Sequence, residues 1–151
     1  MERPSRGRRL GSPDTPYRGG LLSLYLLDTT VLIAHLRGDE EVTVLLLDLL
    51  AAGHWLGTSC VNVAEIQRGI RPKERKTATA FVERLRFLET GREAAIRAGR
   101  YQATFEKRGQ TIHTADALVA GTARAHGAIL LTDNARDLPM SDLRVEAPPG
   151  S

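Results

Sequence analysis

A chain of 151 residues, 42% apolar and 26% charged with a net charge of +3, has the length and composition of one globular domain that needs no disulfide or structural metal. Its single cysteine, Cys60, excludes an internal disulfide and fits a reducing compartment, and His35, His54, His113 and His126 show no zinc-ligand spacing with it. No apolar run approaches the roughly 18 residues a membrane-spanning helix needs, and Arg8-Arg9 is followed by Pro, Asp and Gly rather than an apolar signal core, so a cytoplasmic protein is expected.

Residues 1–20 are rich in Arg, Gly, Pro and Ser and carry no apolar period, the pattern of a disordered basic tail. The domain is expected over 21–151. Residues 21–27 are almost wholly apolar and end at Asp28, which predicts a buried strand with the acid at its carboxyl end. A short helix is expected over 29–36, stopped near Gly38. A second follows over 39–52, where Val42, Leu45, Leu46, Leu49 and Leu50 recur at helical spacing and Gly53 closes the end. Residues 55–59 read as a strand and 61–69 as a helix carrying Glu65, with Pro72 marking the break. Helices are expected over 73–88 and 93–107, with a strand near 86–88 as the competing reading of the first one's end. A helix over 113–126, a buried strand over 128–131, a polar turn over 132–137 and a short strand over 143–146 complete the chain. All seven prolines fall outside these strand and helix interiors. Apolar strands alternating with helices predict an α/β fold, a three-layer α/β/α sandwich around a mainly parallel sheet. In such sheets ligands sit at the strand carboxyl ends.

Four stretches set an acid against apolar neighbours: Leu26-Leu27-Asp28-Thr29-Thr30, Val63-Ala64-Glu65-Ile66, Asp116-Ala117-Leu118-Val119-Ala120 and Leu130-Leu131-Thr132-Asp133-Asn134. Gathered carboxylates repel one another, and a divalent cation relieves that repulsion. Each acid also has a plainer reading. Asp28 suits a helix N-cap, Asp116 complements a helix dipole, Glu65 stands three residues before Arg68, and Asp133 suits an Asx-turn. His113 reads as a cap or core residue near Asp116, and Cys60 as a small buried filler. Charge is divided along the chain: +3 over residues 1–20, −5 over 21–67, +7 over 68–108 and −2 over 109–151. An acidic centre beside a basic middle suits a protein that holds cations and docks a phosphate backbone, and Arg71, Lys73, Arg75 and Lys76 are the candidate phosphate contacts.

In this order and at these spacings, the four stretches resemble the PIN-domain nucleases, and above all the VapC-type toxins of toxin–antitoxin pairs. The likeness runs from about Leu24 to Glu146. Thr30 stands where that family usually has Asn or Ser, and Asp133 stands one residue before the usual acid or amide, at Asn134; Asp137 is a further candidate for that role. The resemblance implies a Mg²⁺-dependent endoribonuclease, with Mn²⁺ as an admissible substitute. It implies catalytic roles for Asp28, Glu65, Asp116 and Asp133, with Asp28 and Asp116 on the metal, Glu65 supporting it, and Thr30 or Thr132 ordering water. It also implies an RNA substrate, a homodimer, and a cognate antitoxin whose C-terminal segment presents an Arg to the acids. Two rivals remain: a binding module of the same fold, and an aspartyl-phosphate phosphotransferase using Asp28 as nucleophile. The second resembles a pattern with another Asp where Thr30 stands and a Lys late in the chain, whereas the only lysines here are Lys73, Lys76 and Lys107.

Overall fold

The structure is a computed structural model and describes residues 22–150. The expected tail over 1–20 lies outside the described residues, as does Leu21. The first strand, β1 (Leu24–Leu27), is shorter than the apolar run that announces it, and it leads through Asp28 into α1 (Thr29–Leu36). α2 (Glu40–Ala51) starts at Asp39, whose carboxylate accepts the Val42 N–H at 3.1 Å. Just past its end Gly53 takes φ +92°, a left-handed turn that a side chain would strain. β2 (Trp55–Ser59) and α3 (Cys60–Gly69) follow.

The expected helix over 73–88 is divided. A 3₁₀ turn at Pro72–Glu74 opens α4 (Arg75–Glu83), and Arg86–Leu88 forms β3. Phe81, Leu85 and Leu88 have helical spacing, but pairing with β2 captures the last segment, Thr58 standing opposite Phe87. α5 (Arg92–Glu106), α6 (Thr114–Ala125), β4 (Ile129–Leu131), a 3₁₀ turn at Ala135–Asp137 and β5 (Val145–Glu146) complete the described residues.

The five strands form one sheet in the order β3-β2-β1-β4-β5, parallel at every pairing. Alternate side chains of β1 serve two cores. Leu24 and Leu26 join Leu88 and Leu130 under Ala98, Tyr101, Ala117 and Ala120 of α5 and α6. Tyr25 and Leu27 join Leu56, Ile129 and Leu131 under Val31, Leu32, Val42, Leu46 and Ile66 on the other side. A sheet buried on both faces is the expected three-layer sandwich. The α5–α6 layer is tight: a Cβ on Gly121 would collide with the Ala94 carbonyl, so only glycine allows the two helices this approach.

Because all strands run one way, their carboxyl ends meet at one edge. Asp28 follows β1, Ser59 ends β2 and Thr132 follows β4. The Asp28 N–H donates to the Leu131 carbonyl at 2.9 Å, locking these ends together.

Candidate functional site

At that edge Asp28 is only 7% exposed. Its Oδ2 accepts the Thr132 hydroxyl at 2.7 Å, a bond across 104 positions of sequence. Its Oδ1 accepts the Thr29 N–H at 2.9 Å and the Asn62 amide Nδ2 at 3.3 Å. Asp28 does cap α1, so the plainer sequence reading holds, but as one function of the side chain among several. All its donors are neutral, and among the described residues no Lys or Arg pairs with Asp28, Glu65 or Asp116.

Asn62 is the residue that sequence reading missed. It is fully buried on α3, accepts the Ser59 hydroxyl at 2.6 Å, and donates to both Asp28 and Thr29 Oγ1, the latter at 3.0 Å. Its signal was an amide on the apolar phase of a helix, four residues before the buried Ile66. Thr29 passes the chain of bonds on, donating its hydroxyl to Glu65 Oε1 at 2.6 Å. Glu65 thus bonds to Thr29 across the site rather than to Arg68. Asp116 enters from the first turn of α6, with His113 at the N-cap.

Burial holds the Asp28 carboxyl above the ordinary carboxylate range. The Thr132 and Thr29 hydrogen bonds oppose the rise, and the charges of Asp116 and Glu65 add to it. Asp116 is raised as well, first by burial and then by Glu65, with His113 opposing and Asp137 adding to the rise. Asp28, Glu65, Asp116 and Asp137 therefore share one field. Asp133 is exposed and makes no hydrogen bond or ion pair among the described residues. Asn134 contributes its backbone N–H to Thr132 Oγ1 at 3.0 Å. The buried Thr30 hydroxyl has no hydrogen-bond partner. Cys60 is exposed at the start of α3, not the buried filler its surroundings in sequence suggested.

Among the described residues no three Asp, Glu, His or Cys side chains close on one point as a complete metal cage. The donors nevertheless suit a hard cation that keeps its waters. They are carboxylate and hydroxyl oxygens, with two carboxyl groups pushed up first by burial and then by neighbouring carboxylates. Of the four basic candidates, Arg71 pairs with Glu74 at 4.0 Å and Arg75 donates to Gln67 at 2.9 Å, while Lys73 and Lys76 are exposed and have no partner among the described residues.

A parallel α/β sheet with an acidic cluster at its carboxyl edge defines the class of protein, and the comparisons name the family. The PIN domain family matches residues 25–142. Ribonuclease VapC19 of Mycobacterium tuberculosis is 32% identical over 115 residues, which are 76% of this chain and 92% of that protein. Ribonuclease VapC2 of Rickettsia felis is 25% identical over 119 residues, 76% of this chain and 89% of that one. Among solved structures, VapBC2 from Rickettsia felis bound to a DNA fragment from its promoter superposes with a TM-score of 0.74 at 23% identity, covering 83% of this chain and 98% of that one. FitAcB from Neisseria gonorrhoeae gives 0.69 at 24%, covering 84% and 99%. The chain belongs to the PIN-domain family and, within it, to the VapC ribonucleases.

Proposed function

We propose that this chain is the toxin of a toxin–antitoxin pair, an endoribonuclease that cleaves RNA phosphodiester bonds at the Asp28 cluster with Mg²⁺, or with Mn²⁺ in its place. One observation carries the reading. Asp28 is buried, its oxygens are held only by neutral donors, and Asp116 and Glu65 add negative field that no Lys or Arg among the described residues pairs with.

Asp28 and Asp116 would hold the ion and Glu65 would support it. Bound there, a divalent cation supplies a water of lowered pKa and neutralises charge on the phosphoryl oxygens. The chain's own groups prepare that site. Thr132, Asn62 and the Thr29 N–H fix the Asp28 carboxylate in one orientation, and Thr29 does the same for Glu65. Thr30, whose buried hydroxyl has no hydrogen-bond partner among the described residues, would order a water. Asp137, which shares the field of Asp116, takes the fourth acidic role ahead of Asp133. The antitoxin partner follows from the relatives' assembly as VapBC and FitAcB. Its C-terminal segment would lay an Arg across the acids, which a planar guanidinium satisfies well. The toxin itself would be a homodimer in the cytoplasm.

The test is cleavage of labelled single-stranded RNA by the purified chain. Activity is expected with Mg²⁺ or Mn²⁺, to vanish in chelator and to return on adding the ion back. Cleavage that persists in chelator, or RNA left intact at saturating Mg²⁺, overturns the reading; binding without cleavage would make the chain a binding module.

A further inference from the structure

The strongest unassigned feature is a basic cleft of about 280 Å³ between α5 and residues 139–142. Arg97 and Arg100 line it from adjacent turns of α5 and Arg108 from the turn just past that helix, and among the described lining residues the only acid is Asp142. That carboxylate is already taken: Tyr101 donates its hydroxyl at 2.9 Å, and Arg97 and Arg124 stand at 3.4 and 3.7 Å. Arg100 and Arg108 are exposed and have no acidic partner among the described residues; Arg108 lies over the Phe105 ring at 5.1 Å. From Arg100 to the end of α5 at Glu106 is six residues, about 9 Å at about 1.5 Å per residue, and Arg108 stands in the turn beyond, enough to meet separate phosphates of one strand.

The cleft is joined to the acidic site along both rims. A three-residue turn leads from the end of α5 to Gln110, whose amide donates to the Asp137 carbonyl at 3.3 Å, and Asp137 lies in the field of Asp116. On the other rim the chain runs from Asp137 directly into Pro139 and Met140, which line the cleft. Arg136, exposed and without a partner among the described residues, stands at the junction. Tyr101 and Phe105 are buried beneath the arginines and offer no open ring for stacking, so the surface reads charge and not bases.

We propose that this cleft, with Arg100 and Arg108 as its free cations, binds the phosphate backbone of the RNA strand beyond the cleavage point. The inference rests on the endoribonuclease reading. It makes affinity depend on RNA length while leaving chemistry at the acids alone.

The experiment compares the full-length protein with an Arg100→Gln/Arg108→Gln variant, using fluorescence anisotropy in chelator with single-stranded RNA probes of about six and about twenty nucleotides. The variant is expected to bind the long probe several-fold more weakly, with the log–log salt slope reduced by about 1.4, or about 0.7 for each phosphate no longer engaged. The melting temperature is expected to stay unchanged, and the loss of affinity is expected to be smaller for the short probe than for the long one. Arg100→Lys/Arg108→Lys is expected to keep the wild-type slope. If the wild type cleaves RNA but the Gln variant keeps the full slope, the cleft proposal falls alone. If the Gln variant loses affinity for poly-L-glutamate and not for RNA, the cleft serves a protein and the proposal is overturned. Wild-type protein that neither binds nor cleaves RNA sinks the endoribonuclease reading and this inference with it.

Discussion

Asp28 and Asp142 are each held by at least three donors, and they are held in opposite ways. Asp142 has two guanidinium groups and a phenol around it, and the set ties α5, α6 and the 139–143 segment together. Burial and this bond push the Tyr101 phenol well above its ordinary range, so the tie is not released by titration near neutral pH. Asp28 is far more deeply buried, yet it receives only hydroxyl and amide protons, and its nearest charges are other carboxylates. A carboxylate neutralised inside the protein is structure. One that is oriented but left unneutralised retains its charge for a ligand.

The largest expected effect breaks the two apart by function. Asp28→Asn and Asp116→Asn should each lower RNA cleavage by at least about 100-fold, the scale of removing a central electrostatic group. Asp142→Asn should leave cleavage of a short RNA at the wild-type rate. If Asp28 were only the cap of α1, its Asn variant would be close to silent, because Asn caps nearly as well.

Stability should reverse the order. Asp142→Asn should cost about 1–2 kcal/mol in denaturant unfolding, a charge-assisted network discounted for its partial exposure. Asp116→Asn should instead raise the melting temperature in chelator at pH 7. The Asp116 pKa is raised on folding, so the folded state holds the proton more tightly than the unfolded chain. The cost is absent below the unfolded carboxylate value, about 3.9, and complete above the raised folded one. The gap between variant and wild type should therefore close as pH falls toward 4, and a gap that widens there would contradict the burial and repulsion assigned to Asp116.

Smaller effects grade the rest of the cluster. Glu65→Gln should reduce cleavage about tenfold, since Gln can still accept the Thr29 hydroxyl but brings no charge. Asp137→Asn should cost a few-fold. Asp133→Asn should change neither rate nor stability beyond about 0.5 kcal/mol, as for an ordinary surface position.

Much of this was legible in the sequence, for reasons that differ from residue to residue. The strand at Trp55–Ser59 and the helix at Thr29–Leu36 fall where apolar runs and end signals put them, because buried parallel strands and capped helices are written locally. The acids Asp28, Glu65 and Asp116 were separately visible as charges set among apolar neighbours. Residues 86–88 were ambiguous because the same apolar spacing serves a helix or an edge strand, and pairing with β2 decides. Asn62 and Asp142 were not legible. Their meaning lies in partners 34 and 41 positions away, which only the folded chain brings within reach. The electrostatic reach of Asp137 to Asp116 likewise depends on the folded chain, with Asp137 in a 3₁₀ turn at Ala135–Asp137 that local spacing did not announce.

The contrast between the two carboxylates is tested most directly by titrating Mn²⁺ into metal-free protein and counting free ion by its paramagnetic resonance. Wild type and Asp142→Asn should bind with the same affinity, while Asp28→Asn binds at least tenfold more weakly, a difference of about 1.4 kcal/mol or more. Equal Mn²⁺ affinity in all three would contradict the assignment of Asp28 to the metal.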